Sequence, residues 1–448
     1  MKIVHITEYC HTGSIGGTER YILDLIRGLD TAGIQNTIGW LHRGLSAETL
    51  EADGVRIFKL PSPQMRVDAP LPEFHEAATR LLETEKPDCL HFHTFGLTEA
   101  ALAKLAKQRG IPYAFTYHSP AWTCRRETGL LYGKELCDGE VRAWRCSACQ
   151  SEERLGMGIL AGHAATAVSM ALGWAAVPLG RTSLRRRAAF YYDSARFSRV
   201  IRTFLAECDL VVSCCDWSGP VLRRNGAREQ CMVHCPQGVP NAVADALHAE
   251  QKLMPPTTGK EFVVGYIGRV TEVKGVHILM EGFSRMEGEE ARLRIVGWES
   301  DRADQPYARR LQEFAQADSR IELVPKKSFA DTLAEYQRLS LLAIPSVWME
   351  TGPLTLLEAL AIGVPVYGSN RLGQLNLLRE HGRIVEPNTP AGWQAALTDA
   401  LKEFRDGKWA AHHERIRATV KLRSMAEVAK ENLAHYRKLT EPRLAARS

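Results

Sequence analysis

Two glutamates, Glu350 and Glu358, flank a Thr-Gly-Pro turn in the stretch IPSVWMETGPLTLLEALAIGVPV. Pro345-Ser346 reads as the end of a strand. Leu354 to Ala361 reads as a helix with Pro353 near its first position, where a missing N–H is harmless. The amides of Leu354 and Thr355, with Gly352 in the preceding turn, then form an anion site at the positive end of the helix dipole. A carboxylate on either side accepts hydrogen bonds from hydroxyls. Such an arrangement suits a ligand with a diphosphate in the middle and a sugar at each end. The plainer alternative is a helix start with two solvated glutamates.

Three further features carry chemistry. In IGRVTEVKGVHIL, Arg269 and Lys274 follow a strand end at Gly268, and two cations there could neutralise a departing diphosphate. In GSIGGTER, after the first strand, Gly16 and Gly17 let the backbone approach a ligand, and Thr18 is read as the N-cap. In FTYHSP, His118 ends a strand on the same side. Each alone has a bland reading: surface charges, a glycine turn, a structural histidine.

The elements that must position these residues alternate. KIVHIT, NTIGWL, VRIFKL, CLHFHT, YAFTYH, DLVVSC and CMVHCP are strand runs in the first half, separated by amphipathic stretches such as TERYILDLIRGL. A polar stretch at 254–261 marks a boundary, after which FVVGYIG, LRIVG, IELVP, LLAIPS, PVYGS and RIVEP repeat the theme. The expected fold class is α/β, with two doubly wound Rossmann-like domains facing a cleft where strand ends gather ligands. The first domain is expected over 1–253 and the second over 254–415. A charged C-terminal helical segment, 416–448, would cross back to the first domain.

The four motifs together, in this order and spacing, resemble the family 4 retaining glycosyltransferases of GT-B fold, over nearly the whole chain. The resemblance implies that Gly16 and Gly17 lie against donor phosphates or acceptor, and that His118 contacts the transferred sugar. It implies that Arg269 and Lys274 hold the diphosphate, Glu350 the sugar hydroxyls and Glu358 the ribose hydroxyls. The reaction would be transfer of a hexose-type sugar, by same-face attack, from a nucleotide diphosphate sugar to an acceptor hydroxyl. Stabilising the leaving diphosphate is then the main catalytic task. The chain lacks any Asp-x-Asp pair, so no catalytic metal is expected. It departs from the family at Gln237, Pro353 and Asn376.

An inserted region, 120–200, fits neither domain. Cys124, Cys137, Cys146 and Cys149 end in C-S-A-C, a set suited to a structural zinc. An iron–sulfur cluster or reduced free thiols are the alternatives. An apolar run without Asp, Glu, Lys or Arg (155–180) precedes RTSLRRR (181–187). This part would either lie at a membrane surface through 155–187, suiting a lipid-linked acceptor in surface glycan or glycolipid synthesis, or pack on the protein itself.

With 57 Lys and Arg against 52 Asp and Glu in 448 residues, the chain is not expected to bind nucleic acid. Eleven cysteines and a start lacking an apolar leader point to the cytoplasm, with peripheral contact at the inner face of the cell membrane. Two competing readings keep the fold: a nucleotide-sugar epimerase, and a non-catalytic zinc-stapled platform for a membrane or partner.

Overall fold

The computed structural model describes residues 1–8, 16–44, 48–52, 54–62, 70–156, 158–179, 188–250, 260–299 and 305–445. The chain forms two compact units, residues 1–237 with 425–448, and residues 238–424. The sequence placed these boundaries at 253/254 and 415/416. The boundary stretch at 254–261 lies outside the described residues except for its last two, and RTSLRRR lies outside them entirely.

The first unit holds an eight-stranded sheet. Its strands are β1 (Lys2–Thr7), β2 (Gln35–His42), β3 (Thr49–Ala52), β4 (Val55–Pro61), β5 (Cys89–Phe92), β6 (Tyr113–Tyr117), β9 (Leu210–Ser213) and β10 (Met232–His234), while β7 (Leu130–Leu131) and β8 (Glu135–Leu136) form a separate ribbon. The order is β10-β9-β6-β5-β1-β2-β4-β3, parallel except for β3. Strands buried on both faces need continuous apolar runs, which explains β-branched segments such as KIVHIT. Helix α1 (Gly17–Asp30) follows β1 and buries Ile22, Leu25, Ile26 and Leu29 against the sheet. Each such side chain contributes about 2 kcal/mol of apolar burial. Gly16, rather than Thr18, occupies its N-cap, so this helix starts without a side-chain cap.

Among the described residues, three α-helices lie in or run out of the insertion: α2 (Ala143–Leu155), α3 (Ile159–Leu172) and α4 (Phe190–Glu207). In the second unit β11 (Phe262–Ile267), β12 (Ala291–Trp298), β13 (Ile321–Pro325), β14 (Leu341–Ile344), β15 (Val366–Ser369) and β16 (Gly382–Val385) pair in parallel in the order β13-β12-β11-β14-β15-β16. Helix α5 (Val276–Ser284) follows β11 and helix α6 (Leu354–Ile362) follows β14. The last helix, α7 (Met425–Ala445), returns to the first unit, where it packs on α1 so closely that a Cβ at Gly28 would meet Ala429 Cβ at 2.4 Å.

Candidate active site

In the second unit the loops after neighbouring strands β11 and β14 are tied together. Val347 N–H donates to Val273 O at 2.9 Å, and Tyr266 O–H holds the Arg269 carbonyl at 2.6 Å. Between them Gly275 has φ +71°, and a Cβ there would meet Pro345 O at 2.0 Å. Only glycine permits both that conformation and that approach. The approach brings Lys274 to the Glu350 carboxylate.

Lys274 Nζ lies 2.7 Å from Glu350 Oε1 and 5.0 Å from the centre of the Trp348 ring. Ser346 O–H also donates to Glu350, and Glu350 N–H donates to Arg371 O at 2.9 Å. The carboxylate is buried. Burial alone would raise its pKa, but the Lys274 charge, with hydrogen bonds from Lys274, Ser346 and Trp348, brings it below the ordinary value. Arg269 is exposed on the same loop. A fixed ammonium and an exposed guanidinium at one strand end form a cationic edge suited to a polyanion.

Helix α6 begins at Leu354 with Pro353 as an extended N-cap, so Leu354 and Thr355 supply its first amides, and Gly352 precedes the cap. Glu358 is buried on this helix and accepts from Tyr336 O–H at 2.6 Å. Glu350 and Glu358 are therefore not solvated surface glutamates: each is buried in its own hydrogen-bonded setting.

In the first unit Gly16 and Gly17 open α1, and His118 directly follows β6. His118 is buried, and its ring lies edge-on to Tyr21 with centroids 4.6 Å apart. Burial lowers its pKa to about 3. Behind it lies what the sequence reading missed, a row of histidines. His118 Nε2 lies 3.0 Å from His93 Nδ1, and His93 Nε2 lies 3.1 Å from His5 Nδ1. Part of the signal was present: His91 and His93 alternate in CLHFHT, hence on one sheet face, whereas the register that pairs His5 with His91 shows only in the sheet.

In the insertion, Cys146 and Cys149 lie on α2, and Cys124 and Cys137 on the preceding loops. Backbone N–H groups of Tyr132 and Arg142 donate to Cys149 Sγ at 3.1 Å and Cys146 Sγ at 3.3 Å. Burial raises the Cys137 thiol and pushes Cys146 and Cys149 up to about 11, with Cys124 and Cys137 nearby adding to the effect. Among the described residues no three of these sulfurs lie mutually within 4.8 Å, a spacing that His5, His91 and His93 do meet. An Asp138–Arg145 ion pair also ties this loop to α2.

Helix α3 inverts the usual pattern. Its small residues Gly162, Thr166 and Ser169 are buried, and a Cβ at Gly162 would meet Ala148 O of α2 at 2.5 Å. Leu160 is 86% exposed, Leu172 68% and, just beyond, Trp174 64%. Ile159–Pro178 is long and apolar enough to cross a membrane by length and composition.

The profile for group 1 glycosyl transferases matches residues 250–418, and that for glycosyltransferase family 4 matches residues 15–145. No curated protein sequence matches the chain. Among solved structures, sucrose-phosphate synthase from Thermosynechococcus elongatus is similar with a TM-score of 0.66 and 18% identity, over 98% of this chain and 99% of that one. HepE from Anabaena, in complex with UDP and glucose, has a TM-score of 0.60 and 13% identity, over 97% and 98%. WaaG, a glycosyltransferase involved in lipopolysaccharide biosynthesis, has a TM-score of 0.58 and 14% identity, over 95% and 98%. The two α/β units, with their mainly parallel sheets, have the GT-B fold. The chain belongs to the glycosyltransferases of family 4 and group 1 type.

Proposed function

We propose that this glycosyltransferase moves a hexose-type sugar, with retention, from a nucleotide diphosphate sugar to a hydroxyl of a lipid-linked or membrane-associated acceptor. The observation that carries the reading is Lys274, locked by buried Glu350 where β11 ends. Arg269 and Lys274 would grip the diphosphate, with the amides of Leu354 and Thr355 at the start of α6. Lys274 and the amides of α6 are in place before the bond breaks, so the negative charge on the leaving group meets fixed positive ends with little reorganisation. Glu350 would accept sugar hydroxyls, Glu358 ribose hydroxyls, and His118 would meet the transferred sugar. HepE, of the same fold, is in complex with UDP and glucose, which supports a nucleotide-sugar donor.

The outward apolar side of α3 supports the membrane part of the reading, because exposed Leu160, Leu172 and Trp174 gain by leaving water. The protein would sit peripherally on the cytoplasmic face. Zinc at Cys124, Cys137, Cys146 and Cys149 would staple the insertion, after side-chain rotation brings the sulfurs together. The two backbone N–H···S bonds support this.

Purified protein should release nucleotide from one donor in a panel of nucleotide sugars when membrane extract supplies the acceptor. Arg269→Ala should abolish release, and the product should keep the donor's anomeric configuration by NMR. Donor binding without turnover would favour the platform reading. An epimerised free nucleotide sugar would favour the epimerase, and an inverted product would refute retention.

A further inference from the structure

Arg125 lies in the first unit between β6 and α2, and its guanidinium is poorly matched. The guanidinium carbon stands 5.1 Å from the centre of the Phe197 ring on α4. Arg125 Nη2 donates one long hydrogen bond, 3.5 Å, to Gln150 Oε1 on α2, and Gln150 Nε2 donates to the Arg125 carbonyl at 3.3 Å. Arg125 Nε is buried without a hydrogen-bond partner among the described residues, and the guanidinium forms no ion pair with them. Its neighbour Arg126 differs: Nη1 lies 2.6 Å from Glu152 Oε2 and 3.0 Å from Cys149 O. Burial works against the Arg125 charge, and the Asp193 carboxylate is the largest influence in its favour.

Ser194 is a second incomplete group. Its side chain is fully buried, and Oγ has no partner among the described residues. Ser194 stands three residues before Phe197 on α4, so the two are neighbours on one helix face, with Cβ atoms about 5–6 Å apart. A forked cation over Phe197 and a hydroxyl beside it therefore share one side of α4, both with donors to spare. A guanidinium has five N–H groups, cannot accept and keeps its charge, so its complement is an oxyanion. A carboxylate has two oxygens, both taken by the fork. A phosphate has a third for the Ser194 hydroxyl.

The same helix leads to the outward apolar side of α3. Tyr192 O–H donates to Met170 O at 2.7 Å, and Tyr191 N–H donates to Ser169 Oγ at 3.1 Å. From Tyr192 to Phe197 is about 8 Å along α4, at 1.5 Å per residue. The headgroup layer on each side of a bilayer's hydrocarbon is about 5–8 Å deep. A phosphate at Arg125 and acyl chains against exposed Leu172 and Trp174 are thus separated on the scale of one headgroup.

We propose that Arg125 and Ser194 bind the phosphate of a lipid-linked acceptor, whose chain leaves along α3. This rests on the functional reading above for the lipid nature of the acceptor, and adds the group by which it is held.

The test is calorimetric titration of the full chain, without donor, using geranyl phosphate, a short prenyl monophosphate. Geraniol and inorganic phosphate serve as its two partial probes. The wild type should bind geranyl phosphate roughly tenfold or more tightly than Arg125→Met does, the worth of about one charge-assisted hydrogen bond. Arg125→Lys, a point charge without the fork, should fall between them, and Ser194→Ala should bind severalfold more weakly than the wild type. Melting temperature and metal content should stay at wild-type values in Arg125→Met. Equal binding by the wild type and Arg125→Met overturns the proposal, since any phosphate held by Arg269 and Lys274 is common to both. Geraniol binding as tightly as geranyl phosphate overturns the phosphate contact, and inorganic phosphate binding as tightly overturns the lipid. A melting temperature several degrees lower in both Arg125 variants, or a loss of metal, assigns Arg125 to the fold or the cysteine loop and also overturns it. No turnover enters these readings, so a chain that transfers no sugar refutes the functional reading while leaving this site tested.

Discussion

Lys274→Met is the perturbation whose outcome the structure specifies most fully. The Lys274 side chain is 18% exposed and that of Glu350 only 7%, so the substitution leaves a buried carboxylate without its cation. Breaking a buried pair from one side costs about 3–5 kcal/mol. Ser346 still donates to Glu350, which argues for about 3 kcal/mol, the lower end of that range. For a unit of this size, that corresponds to a fall of roughly 6–12 °C in the melting transition of residues 238–424. The pH dependence should change sign. In the wild type the Glu350 pKa is depressed, so the pair's contribution is present above the unfolded carboxylate value and lost as pH falls through the lower folded one. Without Lys274, burial is opposed only by the hydrogen bonds from Ser346 and Trp348 and raises that pKa, so the penalty is full at neutral pH and shrinks towards about pH 5 as the carboxyl takes up a proton. Calorimetry of Lys274→Met and of Lys274→Met/Glu350→Gln, across that interval, is the assay. The double variant should recover most of the melting temperature and remain unable to transfer sugar. A penalty that does not vary with pH, or a double variant no more stable than the single, refutes the reasoning.

Gly275→Ala forces a left-handed residue against Pro345 O and should lower the melting transition by several degrees while weakening donor binding, read by calorimetric titration with nucleotide diphosphate. Tyr336→Phe removes the donor to buried Glu358 and should cost about 1.5–3 kcal/mol, measured by urea unfolding. Elemental analysis of protein purified without chelator should give about one zinc per chain, falling in Cys146→Ser; a wild type free of zinc ends that proposal. Leu160→Asp with Trp174→Asp should abolish flotation with anionic vesicles while the melting temperature holds, since both side chains face outward.

Much of the fold was legible because parallel strands buried on both faces must be written as apolar runs. KIVHIT, FVVGYIG and LLAIPS name β1, β11 and β14 to within two residues. The short antiparallel β3, TLEA, has no such run, since an edge strand is half exposed, and it was missed. So was the cap of α1, where Thr18 competes as a cap by type but the helix starts from Gly16. At the site, Gly268, Lys274 and Glu350 showed their strand-end placement through spacing. Their pairing did not show, because Lys274 and Glu350 lie far apart in sequence and meet only where β11 and β14 are neighbours. The histidine row was hidden for the same reason, since it joins residues at three strands. The inward-facing side of α3 was also unreadable: an Ala- and Gly-rich helix gives no apolar stripe to say which face is inside.

Helix α7 closes the first unit from the far end of the chain. Tyr436 reaches His91, and Val428, Ala429 and Leu433 complete the apolar cluster around Ile3 and Tyr21. During synthesis the ribosome must therefore make all of residues 238–424 before that cluster is covered, and the early strands wait half-dressed while the second unit matures. A deletion of the last two dozen residues would injure the part of the protein made first. Residues 238–424 could be excised as one continuous piece, whereas the remainder would need a new peptide joining its two ends.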